Sequence, residues 1–131
     1  MGNLNISIVS PASTFFEGEA EAAQIPVHDG LIGVLPGHAA LVSVLGIGVL
    51  TVRQKGKEER IIVDGGFLEV KNNRVIVLAN NAEYLKNVDV KKARVDFDEA
   101  VKITATTDSL YERKMNRLAS LRIRMKYGSA T

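Results

Sequence analysis

Leu4, Ile6 and Ile8 alternate with Asn5 and Ser7, the period-two pattern of a strand buried on one face. Short runs rich in β-branched residues follow, among them VLTVR, RIIV, FLEV and RVIVLA. Turn chemistry separates them: Gly18, Asp29-Gly30, Pro36-Gly37, Gly46, Lys55-Gly56, Gly65-Gly66 and Asn72-Asn73 recur at intervals of about 7–12 residues. Lys55-Gly56 and Asn72-Asn73 lie between strand-like runs, where hairpin turns belong, because glycine and asparagine accept positive φ. Val42 and Val44, then Ile47, Val49 and Thr51, read as two short β segments with a break between them. The pattern predicts an antiparallel sandwich or flattened barrel. Strands and helices do not alternate, which argues against a parallel nucleotide-binding sheet.

After Asn80-Asn81 the period changes. Val90, Ala93, Phe97, Ala100 and Thr104 recur at steps of three and four, which predicts a helix over 89–103 with Asp89 as its N-cap. A second stripe follows in Leu110, Met115, Leu118, Leu121 and Met125. Ser109 and Glu112 stand at capping-box spacing near its start, and Gly128 lies past its end. The intervening ITATTD is short enough to reverse the chain and pack the two helices antiparallel. Val90, Val95, Val101 and Ile103 give the first helix mediocre propensity, and two helices of this length bury little area alone. We therefore expect a hairpin that docks conditionally and moves.

Composition sharpens the division. The 131 residues carry a net charge of only +2, but the sign is unevenly spread. Residues 1–85 hold six basic and nine acidic side chains, and residues 86–131 hold eleven basic and six acidic ones. Ten of the eleven glycines precede residue 67. These breaks predict a β-sandwich over 1–85 and a helical hairpin over 86–131. The absence of cysteine removes disulfides and thiolate chemistry. The opening MGNLNISIV lacks the basic and apolar regions of a signal peptide. Gly30 to Val52 is a 23-residue stretch without Asp, Glu, Lys or Arg, long enough to cross a bilayer. Pro36-Gly37-His38, Gly46 and Gly48 interrupt it, so it reads as sheet core rather than a membrane span.

Candidate chemistry is sparse. Gly30-x-x-Gly33-x-x-Pro36-Gly37 lacks the Lys-Ser/Thr pair of a phosphate loop, and Gly46-x-Gly48 lacks the third glycine and the helix of a dinucleotide fingerprint. His28, Asp29 and His38 lack metal-ligand spacing, leaving a metal site as the alternative to histidines satisfied by the backbone. No serine or threonine sits in a nucleophile elbow. The chain by itself is not expected to be an enzyme. Between Glu112 and Lys126, six basic residues (Arg113, Lys114, Arg117, Arg122, Arg124 and Lys126) face one acidic residue. That run reads as a solvated face or as a grip on an acidic partner. A nucleic-acid or protein adaptor built on this helix is the alternative, although only Tyr111 and Tyr127 add aromatics to it.

With these parts in place, LNISIVSPASTFFEGEAE, GLIGVLPGHAAL, VDGGFLEV and RVIVLANNAE, followed by the helical pair, resemble the epsilon subunit of the bacterial F-type ATP synthase. The likeness covers essentially the whole chain. One departure is Ala40, where that family often has proline. The resemblance implies a sandwich of about ten strands followed by an antiparallel α-helical hairpin. It implies a non-catalytic rotor subunit of the central stalk, coupling proton-driven rotation of the c-ring to ATP synthesis, at the cytoplasmic face of the bacterial inner membrane without inserting into it. Its partners would be the gamma subunit, the c-ring and, through the helices, the alpha and beta subunits, with no nucleic acid. Contacts to gamma or the c-ring fall on Asp29, Gly30, Leu31, Pro36, Gly37 and His38. The helices are expected to hinder ATP hydrolysis, with Arg113, Lys114, Arg117, Arg122 and Arg124 meeting an acidic segment of a beta subunit.

Some members of that family bind regulatory ATP between the helices through an I/L-D-x-x-R-A motif. Here the matching stretch is Val88-Asp89-Val90-Lys91-Lys92-Ala93. Lysine replaces arginine, offering a point charge in place of a planar multi-donor grip. Glu83, Asp89, Lys92, Ala93, Arg122 and Lys126 are the positions carried over, and no obligatory cofactor is implied.

Overall fold

The computed structural model describes residues 3–128 and divides the chain into two compact units, one through Glu83 and one from Tyr84 onward. The first unit is an eight-stranded sheet: β1 (Leu4–Val9), β2 (Thr14–Ala20), β3 (Ala22–Val27), β4 (Gly30–Val34), β5 (Leu41–Gln54), β6 (Lys57–Lys71), β7 (Arg74–Ala79) and β8 (Ala82–Tyr84). The order is β2-β1-β7-β6-β5-β3-β4, with β8 paired to β6. The expected hairpin turns form. Gln54 pairs Lys57 across Lys55-Gly56, and Lys71 pairs Arg74 across Asn72-Asn73. All four turn residues have positive φ, the signature of a type I′ connection whose twist matches the strands.

Two expectations fail here for one reason. The break at Gly46 and the turn at Gly65-Gly66 are absent, because β5 and β6 run unbroken for 14 and 15 residues. The glycines act inside the strands. Pairing skips from Leu45↔Gly66 to Ile47↔Asp64, so Gly46 and Gly65 oppose each other unpaired. Gly65 and Gly66 have φ of 76° and 130°, and a Cβ on Gly66 would overlap the Leu78 carbonyl oxygen. The long hairpin therefore folds over on itself, and each of its strands serves both layers of a sandwich. Its register supports this: Leu41 pairs Val70 beside the Asn72-Asn73 turn, while Arg53, at the far end of β5, pairs Ala22. Counting each long strand twice brings eight strands to the ten that the resemblance implies. The sheet is also not wholly antiparallel, since β1 runs parallel to β7 from Asn5↔Arg74 to Val9↔Leu78.

Aliphatic side chains fill the space between the layers: Leu4, Ile6, Ile8, Ile25, Leu50, Val52, Ile61, Ile62, Val63 and Leu68 are all at most 2% exposed. They alternate with exposed neighbours over most of the sheet, and they bury the area that drives the fold.

The second unit begins with a single 3-10 turn at Leu85–Asn87, followed by α1 (Val90–Val101) and α2 (Asp108–Tyr127). Asp89 caps α1 as predicted, accepting from the Lys92 amide at 3.0 Å. The capping box at Ser109 and Glu112 does not form. The Thr107 hydroxyl accepts from the Leu110 amide at 3.1 Å, so the helix starts earlier and Ser109 lies inside its first turn. Ala93, Ala100, Leu118 and Leu121 form the hairpin core, with Phe97, Met115 and Met125 against it. Thr104 falls past the end of α1, and Leu110, 43% exposed, contributes nothing to that core. Lys114 donates through Nζ to the carbonyls of Val101 and Ile103 at 2.9 and 2.8 Å, closing the turn between the helices. At the other end Gly128 caps α2 with extended backbone, its amide bonding Arg124 O at 2.9 Å. A Cβ on it would come within 2.9 Å of Val88 Cγ1 and Val90 Cγ2, which places the end of α2 against the start of α1. The pair is thus antiparallel. No described helix is long and apolar enough to cross a membrane.

Candidate functional site

Strand alternation directs one set of side chains from β2, β1, β7, β6 and β5 inward and leaves the other set on the outer face of that layer. The register aligns the outward set in rows. Thr14, Val9, Leu78, Phe67 and Val44 are successive partners across the five strands. The next row reads Glu17, Ser7, Ile76, Glu69 and Val42, and the third Glu19, Asn5, Arg74 and Lys71. Phe67, Leu78, Val44 and Val42 are 61%, 51%, 48% and 72% exposed. An apolar row open to solvent is unusual in a folded domain and marks an interaction surface. The face grades from apolar side chains at its Phe67 end to charged ones at its Arg74 end.

The six loop positions singled out from the sequence flank opposite ends of this face. His28 and Asp29 form the turn from β3 to β4, and the His28 amide donates to Val44 O at 3.2 Å. Asp29, Gly30 and the 59% exposed Leu31 therefore lie near the apolar row. Pro36, Gly37 and His38 belong to a turn at the charged end, where the Gly37 amide donates to Asn73 Oδ1 at 2.7 Å. Leu41 and Leu45 mark the two levels on β5, about 14 Å apart at ~3.4 Å per residue. The two loops, close in sequence, thus lie at two separate levels of the face. His38 Nδ1 lies 2.6 Å from Ala39 O, a bond to the backbone. Among the described residues no three His, Asp or Glu side chains converge as metal ligands.

In the hairpin, four of the five basic contact candidates are already engaged. Lys114 closes the interhelical turn, Arg117 reaches Asp96 at 3.8 Å, Arg122 lies 5.3 Å over the Phe97 ring, and Arg124 donates to the Ser120 hydroxyl. Arg113 stands exposed. Of the nucleotide candidates, Asp89 and Lys92 meet only as a cap through the Lys92 amide, and Ala93 is interior. Lys126 lies 5.3 Å from the Tyr127 ring, and Glu83 belongs to the sheet unit.

The apolar row escaped the sequence reading. Its signal was present in adjacent apolar pairs, Val44-Leu45, Phe67-Leu68 and Val77-Leu78, which give a strand two apolar faces where strict alternation gives one.

Comparison with known proteins assigns the chain to a family. A family model for the ATP synthase Delta/Epsilon chain beta-sandwich domain matches residues 3–85. The ATP synthase epsilon chain of Leptospira borgpetersenii is 38% identical over 101 residues, covering 77% of this chain and 80% of its own. That of a Synechococcus strain is 38% identical over 121 residues, covering 92% and 88%. The Desulforamulus reducens protein is 44% identical over 89 residues, covering 68% and 67%. Among solved structures, the Euglena gracilis mitochondrial ATP synthase (OSCP/F1/c-ring) contains a chain with TM-score 0.81 and 22% identity, covering 94% of this chain and 79% of that one. The Tetrahymena thermophila mitochondrial ATP synthase central stalk and c-ring contains another with TM-score 0.71 and 16% identity, covering 98% of each. These two likenesses carry the fold. The sequence matches carry the family: the chain belongs to the ATP synthase epsilon chains.

Proposed function

We propose that this protein is a non-catalytic rotor subunit of the central stalk, held to the gamma subunit through the outer face of its sandwich. The turn at Asp29–Leu31 is assigned to the c-ring, and the helical hairpin acts as a brake on ATP hydrolysis. The observation that carries the reading is the row Leu78–Phe67–Val44, an apolar strip exposed across three paired strands, with the half-buried Val9 beside it on a fourth. Burying it on gamma gains free energy from each of these side chains, and Phe67 at its centre is the natural anchor. The surrounding Glu17, Glu69, Lys71 and Arg74 form a charged rim that sets orientation. The chain then sits peripherally at the membrane, with proton passage left to the ring.

For the hairpin, the support is its small core and its basic second helix. Arg113 is ready for an acidic partner as it stands. Lys114, Arg117 and Arg122 serve the closed hairpin and become available to a beta subunit when the helices separate, whereas Arg124 bonds Ser120 within α2 in either state.

The test uses Phe67→Glu, which places a charge at an exposed position and leaves the core untouched. Binding to the gamma subunit should weaken at least a hundredfold while the unfolding midpoint stays near that of the unaltered chain. Retained binding would overturn the assignment of this face. Separately, complexes reassembled without residues 88–131 should hydrolyse ATP faster and still assemble; unchanged hydrolysis would remove the brake from the reading.

A further inference from the structure

The turn at the charged end of the outer face has a choice of shape. Leu35 to His38 is a four-residue turn closed by the His38 amide donating to Leu35 O at 3.0 Å. Pro36 and Gly37 occupy its centre, and Gly37 has φ of 91°, which makes the turn type II. Pro-Gly favours type II, and the type I form is reached from it by a flip of the peptide between these residues. The flip reverses the Gly37 amide and the Pro36 carbonyl together, because the two point oppositely across a planar trans peptide.

A residue far along the chain holds it in the type II form. Asn73, 36 positions later, takes the Gly37 amide on Oδ1 at 2.7 Å. Its own carbonyl accepts the Asn5 amide at 2.8 Å, and its φ of 62° places it second in the Asn72-Asn73 hairpin turn. Glycine is the usual residue there, since it adopts that φ without cost. Asparagine tolerates the conformation and adds what glycine lacks, a side-chain acceptor. Only the type II form presents the Gly37 amide to that acceptor.

We infer that Asn73 is a positioning residue that locks the Leu35–His38 turn in its type II form, so that the carbonyl of the exposed Pro36 is presented to the docked partner as a fixed hydrogen-bond acceptor. The partner must then place a donor there, an amide or a basic side chain. The turn is thus set before docking, so little ordering cost falls on the bound state. This inference rests on the proposed docking face, and it is tested so that the two fail separately.

Two variants isolate the side chain. Asn73→Gly keeps the hairpin turn and its positive φ but deletes the acceptor; Asn73→Asp keeps both. In the isolated chain, exchange of the Gly37 amide should accelerate about tenfold in Asn73→Gly and remain slow in Asn73→Asp, with unfolding midpoints within about 2 °C of the unaltered chain. Binding to the gamma subunit should weaken about fivefold in Asn73→Gly and recover in Asn73→Asp. Slow Gly37 exchange in Asn73→Gly overturns the lock. Fast exchange with unchanged affinity overturns its role in docking. An unaltered chain that does not bind gamma instead sinks the docking face, and the exchange measurement still decides whether Asn73 sets the turn.

Discussion

The sheet unit and the helical hairpin are stabilised on different scales. Of the twelve largest fully buried side chains, eleven belong to the sheet and only Leu121 to the hairpin. The sheet core is made of Ile, Leu and Val from several strands, whereas α1 offers its partner two alanines and a part-buried Phe97. Alanine lets helices approach closely but buries little area. The hairpin therefore leans on local devices: a carboxylate cap, a hydroxyl cap, and a lysine tying the interhelical turn. A region built this way opens at a lower free energy than one built on a continuous core. That difference suits the proposed division of labour between a rigid rotor body and a pair of helices that changes partners.

The sheet breaks most severely at its fold-over. In Gly66→Ala the new Cβ overlaps Leu78 O, and the φ of 130° is strained for any side chain. Neither atom is free to move, because both belong to paired backbone. Denaturant unfolding should show a loss of about 3–5 kcal/mol, or no folded sheet at all. A loss below about 1 kcal/mol would mean that the long hairpin does not fold over where its glycines lie. Leu121→Ala tests the other unit. Removing the one fully buried large side chain of the hairpin should cost it about 2–4 kcal/mol. Helical circular dichroism should then fall at low denaturant, with the sheet transition unmoved. One shared transition would contradict the separation of the two units.

How much of this contrast was legible in sequence depends on the range of the signal. The hairpin turns at Lys55-Gly56 and Asn72-Asn73, the cap at Asp89 and the helical period are local, and each reads directly from neighbouring residues. The fold-over was misread because a glycine pair marks a bulge as readily as a turn, and only the partner strand decides which. Cap choice in α2 failed on a competition between Thr107 and Ser109, in which the intrinsically weaker cap, Thr107, is the one the helix uses. The proposed docking face was the least visible part. Val9, Leu78, Phe67 and Val44 lie in four separate runs, and only register makes them neighbours. The glycine-rich loop stood out for the opposite reason, being contiguous in sequence although its two turns end up at different ends of the face.

Caps sharpen the contrast at smaller amplitude. Asp89→Ala and Thr107→Ala each remove an acceptor from a first-turn amide and should each cost the hairpin about 1 kcal/mol. In a unit with so little core, that should raise amide exchange along the whole helix concerned, whereas exchange in the sheet stays as it was. Exchange confined to the first turn would show the hairpin to be held by more than its caps.

The smallest effect belongs to the sheet surface. Glu58 lies between Arg53 and Arg60 at 3.2 Å from each, and their hydrogen bonds, Arg53 first, hold its carboxyl below the usual carboxylate range. A carboxylate with a lowered pKa adds stability above its unfolded value and loses it as pH falls through the folded one. Both arginines are more than half exposed, so water and salt screen the triad. Glu58→Gln should therefore lower the unfolding midpoint by no more than about 1 °C at neutral pH. The difference should vanish in acid, where both side chains are neutral, and also at high salt. A drop of several degrees, or one that persists in acid, would show that the strand ends beside Lys55-Gly56 depend on this triad and that the sheet, like the hairpin, relies on local devices at its edges.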